Sequence, residues 1–435
     1  MLLLKDCSTL HEGSLVKRDI LIDDERIKKI SGDIRTNANI MNMRGLFVMP
    51  GAIDAHVHFD DPGNTRREDF EHGSRSAIAG GVTCVIDMPC TSKPPVTTEE
   101  SFKGKLSVIE RKAYCDFALY GGIDGADEGY IEHMRSLNDV VGFKCYATSP
   151  EGFMRLDRGR LFEALSASKK PILLHAEDNE IVEHFTKKYE NSTNPMDWQR
   201  ARPPMAEALA IRDASYLAHS AKGSLHLVHV SSREGAAAVE EGKRIADISA
   251  ETCPQYLLLN SEHLKALGTM AKTSPPVREK KDNAFLWQSL RDGRIDFVAS
   301  DHAPCEKKEK EKGIFEAYSG IPGVQTILPL MISEGYNMKR LSLERVTEIT
   351  STAPAKRYGL YPRKGALRAG SDADLVAIDL EEEWVLKNED LLSKNAFSPF
   401  DGRKMRGRVK KTFLRGELVY DGEILRKKGR FVHAD

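Results

Sequence analysis

Four histidines and one aspartate stand at the ends of short apolar runs in this sequence: His56, His58, His175, His229 and Asp301. A single histidine at such a place is usually structural, but five metal-ligating side chains in one pattern are an improbable coincidence. His56 and His58 are two positions apart, so on a strand both imidazoles point to the same side. Imidazole nitrogen and carboxylate oxygen are ligands of zinc and similar divalent cations. The sequence therefore predicts a metal centre.

Lys144 ends a further apolar run, where an unpaired ammonium group would be costly to bury. Two interpretations follow. Lys144 is either a lysine at the mouth of the fold that pairs with a carboxylate, or an amine carboxylated by CO2. The second would create an anionic oxygen ligand able to bridge two cations. The residue types alone leave both open.

Other histidines carry no predicted role. His226 lies in the same run as His229 but three positions away, so strand alternation predicts that it faces the opposite side. Five more stand in polar surroundings: His11, His133, His184, His263 and His433.

The elements that must position these residues are eight predicted strands in the middle of the chain. They are residues 52–57, 82–87, 116–120, 140–145, 171–174, 225–230, 246–251 and 296–300. Helix-period segments lie between most of them, at residues 68–79, 99–112, 159–168, 206–221 and 234–242. Eight such repeats predict an α/β fold with a closed (β/α)8 barrel, whose strands end at one mouth. An open doubly wound sheet would show fewer strands and a glycine-rich phosphate loop after the first strand, which this sequence lacks.

The two ends of the chain predict short strands instead. These are residues 19–22, 26–30 and 46–49, and then 375–378, 384–386, 409–414 and 418–420. Neither set can bury a hydrophobic face alone, so we expect one small β module built from both. The predicted boundaries are residues 1–50 and 361–435 for this module and 51–360 for the barrel.

Composition limits the partners and the compartment. Among 435 residues, Lys+Arg 64 against Asp+Glu 65 gives a formal charge of −1, so no basic field would hold nucleic acid. Seven cysteines without a C-x-x-C pair favour a reducing, cytoplasmic setting over a disulfide framework. The apolar start MLLL is too short for a signal peptide, and no apolar run approaches the roughly 20 residues of a membrane span.

Several strings together resemble the cyclic amidohydrolases of the amidohydrolase superfamily, a group that includes allantoinase, dihydroorotase and hydantoinase (dihydropyrimidinase). The strings are DAHVHFDDPG (54–63), FKCY (143–146), LLHAED (173–178), LVHVSS (227–232) and SDHAPC (300–305). The resemblance covers essentially the whole chain. It implies a distorted (β/α)8 TIM barrel with a β-sandwich from the terminal segments, and hydrolysis of a small cyclic amide or ureide. It also implies a homo-oligomer, a dimer or a tetramer.

Carried over position by position, the resemblance implies two divalent metal ions, with zinc the suggested metal. His56, His58 and Asp301 would hold the more buried ion, His175 and His229 the other, and carboxylated Lys144 would bridge them. A hydroxide activated by the metals would attack the ring carbonyl. Asp301 would act as the catalytic base and then as the acid for the departing ring nitrogen.

The substrate prediction rests on departures from the dihydroorotase pattern. Two positions where dihydroorotases hold the substrate carboxylate with Arg and Asn carry Asp60 and Cys90 here, and such a loss costs about 2–5 kcal/mol unless Arg66, Arg67 or Arg278 compensates. Strings at residues 251–256, 272–276 and 320–325 favour allantoinase and hydantoinase, although Ser149 replaces a tyrosine usual in hydantoinases. We therefore expect an allantoinase-like enzyme.

The alternatives stay open. They are a divergent dihydroorotase, which would convert dihydroorotate to N-carbamoyl-aspartate, a hydantoinase, and a non-catalytic scaffold. By the same resemblance, Ser274 and Ser319 would contact the imide or ureide edge of the ring. Asp60 and Cys90 would also lie at the substrate. Each serine could equally be an ordinary turn residue.

Overall fold

The computed structural model describes residues 1–149 and 153–434, which form a sheet built from both ends of the chain and a barrel between them. The strands, numbered along the chain, are β1 (Leu2–His11), β2 (Ser14–Asp23), β3 (Arg26–Ser31), β4 (Asn39–Asn42), β5 (Phe47–Pro50), β6 (Ala52–Val57), β7 (Val82–Asp87), β8 (Asp116–Leu119), β9 (Gly121–Gly122), β10 (Phe143–Tyr146), β11 (Ile172–His175), β12 (Ser224–Leu227), β13 (Asp247–Thr252), β14 (Phe297–Val298), β15 (Leu375–Val385), β16 (Lys404–Leu414) and β17 (Glu417–Asp421).

Helices follow most barrel strands. They are α1 (Phe70–Ala79), α2 (Glu99–Ile109), α3 (Tyr130–Ser136), α4 (Arg158–Ala167), α5 (Asn179–Tyr189), α6 (Met196–Ala201), α7 (Pro204–Ala221), α8 (Arg233–Lys243), α9 (Pro254–Leu258), α10 (Ser261–Leu267), α11 (Lys280–Asp292), α12 (Lys307–Lys310), α13 (Ile327–Leu330), α14 (Leu343–Thr347) and α15 (Ala353–Arg357). Two π-helical stretches, Met331–Asn337 and Glu348–Thr352, continue α13 and α14.

The terminal sheet joins the two ends of the chain. Its strand order is β17-β16-β15-β5-β1-β2-β3, and β4 pairs with β1. The junction is β5 against β15, antiparallel, with Leu375 opposite Pro50. Leu4, Val48 and Phe413 pack in one apolar cluster, so neither end buries its hydrophobic face without the other. This confirms the predicted β module.

Two details of that module differ from the prediction. The predicted strands at residues 375–378 and 384–386 are one strand, β15, whose pairing with β16 shifts register between Asp379 and Glu383. Strands β1 and β4 were not among the predicted strands. The burial of β1 alternates irregularly around a register shift between Leu4 and Cys7, so the strand lacks a regular period of two.

Strands β6 to β14 are parallel and close into the barrel. They form a three-stranded sheet, β6-β7-β8, and a six-stranded sheet, β9 to β14 in chain order. At one junction Val141 N donates to Leu119 O (3.0 Å), and at the other His58 N donates to His302 O (2.8 Å). All eight predicted strands overlap observed ones, and every residue of β6, β7, β10 and β11 is buried, as in a sheet covered on both faces. The predicted distorted (β/α)8 barrel is confirmed.

Several helices begin at a residue whose side chain caps the first turn, so their starts can be located in the sequence. Asp69, Asp157, Asp178 and Ser232 each accept a hydrogen bond from a backbone N–H of the first turn of α1, α4, α5 and α8. Among the described residues, no helix is long and apolar enough to cross a membrane. The boundaries at residues 50/51 and 360/361 stay a prediction.

Candidate active site

The first group of predicted ligands meets where β6 ends. His56 lies in β6 and His58 follows it, and the Nε2 atoms of both rings are 3.3 Å from Asp301 Oδ1. The ligand atoms of these three residues lie within 4.8 Å of one another. The expected same-side geometry of the two histidines is therefore observed.

The second group lies beside the first. His175 is the last residue of β11 and His229 follows β12, and His175 Nδ1 is 3.0 Å from His229 Nε2. The ring centroids of His56 and His229 are 5.4 Å apart. Both groups thus face one cavity of about 590 Å³ at the carboxyl ends of the barrel strands.

Lys144 lies in β10 and lines the same cavity. Its side chain is 1% exposed, and Nζ has no hydrogen-bond partner within the described part of the chain. The amine is 4.9 Å from the centroid of the Tyr146 ring, which does not neutralise a charge. Burial lowers the pKa of Lys144 below its usual range. A carboxylate hydrogen-bonded to Lys144, which the simpler interpretation requires, is not found among the described residues.

Two ligand candidates depend on an unusual backbone conformation. His229 has φ +41° and Asp301 has φ +49°, in the left-handed region that residues other than glycine rarely adopt. His229 lies two residues after the end of β12 and Asp301 three residues after the end of β14, so the chain turns beyond each strand and presents these side chains to the cavity. Such local strain is typical of functional sites.

The donor set fits divalent cations. Burial lowers the pKa of His56 and His229 well below the usual range, so both imidazoles are neutral, the form that binds metal. His229 Nδ1 and Lys144 Nζ are buried atoms without hydrogen-bond partners among the described residues. Imidazole nitrogens and one carboxylate, Asp301, are suitable ligands for zinc.

The predicted substrate residues divide into two sets. Ser274, Ser319 and Cys90 line the cavity, and Cys90 Sγ is 2.9 Å from the hydroxyl oxygen of Tyr146. Asp60 does not line it, contrary to expectation. Its side chain is buried behind the wall, both carboxylate oxygens lack hydrogen-bond partners in the described structure, and burial raises its pKa to about 7. A carboxylate hidden in this way has no contact with the cavity.

The three arginines at the mouth are already paired with carboxylates. Arg66, Arg67 and Arg202 line the cavity, and their ion-pair partners are Glu306, Glu309 and Glu177. Arg278, considered above as a compensating cation, is buried outside the cavity lining and donates to Ser231 Oγ (3.0 Å). Lys272 donates to the carbonyl oxygen of Phe315 (3.2 Å).

Two carboxylates that contact the histidines were missed from the sequence. Glu251 Oε1 lies 2.5 Å from His56 Nδ1, and Glu177 Oε2 lies 2.7 Å from His175 Nε2. The available signal was position, since Glu251 ends a predicted strand and Glu177 follows His175 by two residues. The expectation that His226 faces away was wrong, because its Nε2 is 3.2 Å from Glu251 Oε2, beneath the site.

The model of the Amidohydrolase family matches residues 47–419, which is most of the chain. The chain belongs to the amidohydrolase family. An allantoinase of Rubrobacter xylanophilus is 39% identical over 436 residues, covering 98% of this chain and 96% of that protein. An allantoinase of Salmonella choleraesuis is 32% identical, with 99% and 98% covered.

Solved structures of this family share the whole architecture. The L-hydantoinase (dihydropyrimidinase) of Arthrobacter aurescens has a TM-score of 0.95 and 34% identity, with 99% of both chains covered. The dihydropyrimidinase of Brevibacillus agri has a TM-score of 0.92 and 28% identity, with 99% and 98% covered. Members of the amidohydrolase family are metal-dependent, and the cluster of His56, His58 and Asp301 is a candidate metal site. The predicted relationship to the cyclic amidohydrolases is confirmed.

Proposed function

We propose that this protein opens the ring of a cyclic ureide of the allantoin type by metal-dependent hydrolysis. The observation that carries the proposal is the convergence of six ligand-type side chains, from five strands of a closed barrel, on one cavity. Nearly full-length similarity to allantoinases supports the choice of ring.

The metal centre would be binuclear, with zinc as the metal. His56, His58 and Asp301 would hold one ion, and His175 and His229 the other. The Lys144 amine would attack CO2, forming an N–C bond and releasing a proton, and the resulting carbamate would contact both ions. The buried Nζ atom without a hydrogen-bond partner supports this step, because burial favours the neutral amine, the form that attacks CO2.

A residue of the chain would transfer the proton from the attacking water to the leaving nitrogen. When bound, the cations lower the pKa of water and polarise the scissile carbonyl. Asp301, which faces His56 and His58 at 3.3 Å, would accept a proton from the attacking water. It would then return that proton to the ring nitrogen as the C–N bond breaks. Ser274 and Ser319 would hold the imide or ureide edge of the ring.

The charges around the cavity favour a neutral ring over dihydroorotate. The arginines that line it are each paired with a glutamate, so a substrate carboxylate would have to compete for them. Asp60 and Cys90 offer no positive charge at the positions where dihydroorotases hold that carboxylate. Hydantoin is the second candidate, because the L-hydantoinase structure matches the whole chain. Ser149, at the position of the tyrosine usual in hydantoinases, accepts a hydrogen bond from Arg155 N at 3.1 Å.

The deciding experiment compares four substrates with the zinc-loaded enzyme: allantoin, hydantoin, dihydrouracil and dihydroorotate. We expect allantoin to give the highest kcat/KM. Turnover of dihydroorotate alone would contradict the proposed substrate and support the divergent dihydroorotase. Metal analysis of the purified protein tests the scaffold alternative, which requires that no divalent metal be bound.

Two coarser properties complete the proposal. All seven cysteines are free thiols, which supports a reducing compartment such as the cytoplasm. We also propose a homo-oligomer, a dimer or a tetramer, which light scattering on the purified protein would test.

A further inference from the structure

Glu251 is a buried carboxylate beneath the candidate metal centre. It lies in β13, its side chain has no solvent exposure, and each of its two oxygens faces an imidazole nitrogen. Oε1 is 2.5 Å from His56 Nδ1 and Oε2 is 3.2 Å from His226 Nε2. Neither His226 nor Glu251 has a role in the function proposed above.

His226 is itself held rigidly. Its Nδ1 atom is 2.7 Å from Ser249 Oγ, and Ser249 is its neighbour across the β12–β13 pairing. The His226 ring stacks on Phe297, with centroids 5.0 Å apart and an interplanar angle of 5°. A hydrogen-bonded chain therefore runs from Ser249 through His226 and Glu251 to His56, and each member is buried.

The chain restricts how His56 carries its proton. A neutral imidazole has one N–H, and a carboxylate accepts hydrogen bonds. With Glu251 at Nδ1, the proton stays on Nδ1 and the lone pair stays on Nε2, the atom that faces Asp301. We infer that Glu251, supported by His226, is a positioning residue that keeps His56 in the tautomer and orientation required to bind metal. This inference rests on the proposed metal-dependent function.

His175 shows the same principle with the opposite nitrogen. Glu177 contacts its Nε2 atom, so that Nδ1 faces His229 and the cavity. Glu177 also forms an ion pair with Arg202, whereas the side-chain partners of the Glu251 carboxylate are the two imidazoles, with the backbone N–H of His229 as a further contact. The orientation of Glu251 therefore depends in part on His226, which supports the role of that histidine.

The test measures zinc affinity rather than turnover. Apo protein is titrated with zinc against a chromophoric chelator, for wild type, Glu251→Gln and His226→Leu. Carboxylates that orient metal-ligating histidines typically contribute about 10–100-fold to metal affinity. We expect a loss in that range for Glu251→Gln and a smaller loss for His226→Leu, which leaves the carboxylate one partner.

Asp116→Asn is the matched control, because it removes a buried carboxylate at the first residue of β8, at the amino ends of the barrel strands. It should lower Tm and leave zinc affinity within about twofold of wild type, since it is remote from the cavity. Unchanged affinity in both Glu251→Gln and His226→Leu, or an equal loss in Asp116→Asn, would overturn the inference. A wild-type chain that binds no zinc would overturn the proposed function as well, whereas zinc binding without ring opening would affect only the proposed substrate.

Discussion

At the scale of single residues, the site depends on which atom each side chain presents. Carboxylates fix the far nitrogens of His56 and His175, so the near nitrogens face the cavity. Left-handed backbone at His229 and Asp301 turns two further ligands inward. Each arrangement is costly unless the surroundings enforce it, which explains why these side chains are embedded in a closed barrel.

The clearest residue-scale prediction concerns Lys144. Lys144→Ala should reduce kcat by at least about a thousandfold, because the proposed ligand to both ions is lost. Short carboxylic acids such as acetate or propionate should restore part of the activity by supplying a carboxylate in the vacated space. Ring opening is assayed at saturating allantoin, with and without added acid.

The matched control is Lys105→Ala, which removes a buried lysine that forms an ion pair with Asp87. Short acids should not increase its activity, because Lys105 does not line the cavity. Full activity of Lys144→Ala without any added acid would contradict the carbamate.

Strand alternation explains which site residues could be found from the sequence. The six ligand candidates have the right residue types at strand ends, and all six line the cavity. Strand alternation did not predict the relation of His226 to His229, because β12 ends at Leu227. The left-handed turn at His229 brings its side chain back toward the side of His226. Glu251 was missed because pairing with a histidine in another strand is a long-range contact that a local pattern cannot contain.

At the scale of elements, the mouth of the cavity is built from segments that other segments hold. Arg67, before α1, pairs with Glu309 in α12, and its guanidinium lies 4.4 Å from the centroid of the Tyr318 ring. Lys310 donates to the carbonyl oxygens of Lys272 (3.2 Å) and Tyr318 (2.9 Å). Residues 315–319, which include Ser319, are therefore fixed from two sides.

We predict that Arg67→Gln raises KM for allantoin by roughly tenfold, equivalent to about 1.4 kcal/mol of binding, with kcat little changed. The substitution removes the ion pair that aligns the mouth but leaves the ligand candidates intact. Steady-state kinetics measure both constants. Lys308→Gln, on the same segment, is the control because Lys308 is 69% exposed and its ion pair with Glu306 should contribute little. A fall in kcat alone for Arg67→Gln would refute this role.

The buried carboxyl group of Glu68, next to Arg67, should make the free energy of unfolding depend on pH. Burial raises its pKa to about 8 from the usual 4.5 of a glutamate side chain. Between these values the folded chain keeps a proton that the unfolded chain releases, so the free energy of unfolding falls as pH rises. In Glu68→Gln this titration is absent, and Tm should fall less between pH 5 and 9 than in wild type. Thermal melts at pH 5, 7 and 9 measure the difference, and parallel curves would contradict the raised pKa.

The sequence predicted the existence of the strands better than it predicted their first and last residues. All eight barrel strands were found because apolar runs alternate with helical periodicity. Residues 296–300 were expected as one strand, but β14 is only Phe297–Val298. The strand ends three residues before the left-handed turn at Asp301. β1 escaped prediction because a bulge interrupts its alternation, and its partners β2, β4 and β5 are known only from the fold.

At the scale of the whole molecule, a buried charge cluster joins the barrel to the terminal sheet. Lys364 Nζ lies 2.7 Å from Asp116 Oδ2 and 2.6 Å from Asp374 Oδ2, and Asp372 is 3.2 Å away. Asp116 begins β8 of the barrel, whereas Asp374 directly precedes β15 of the sheet. Arg415, directly after β16, also forms an ion pair with Asp116. Two cations therefore join the two parts at the end of the barrel remote from the cavity.

Removal of that charge should separate stability from catalysis. Lys364→Met leaves three buried carboxylates without their shared cation, and breaking a buried ion pair typically costs about 3–5 kcal/mol. We expect a marked fall in Tm, with kcat per folded molecule unchanged, because the cluster contacts neither the cavity nor its ligand candidates.

Adding Asp372→Asn to Lys364→Met should recover part of the loss in Tm, since one uncompensated charge is removed. Thermal melts of wild type, both single variants and the double variant complete the cycle. Additive effects in that cycle would show that Lys364 and Asp372 do not interact, and a loss of kcat would show that the cluster supports the site as well as the fold.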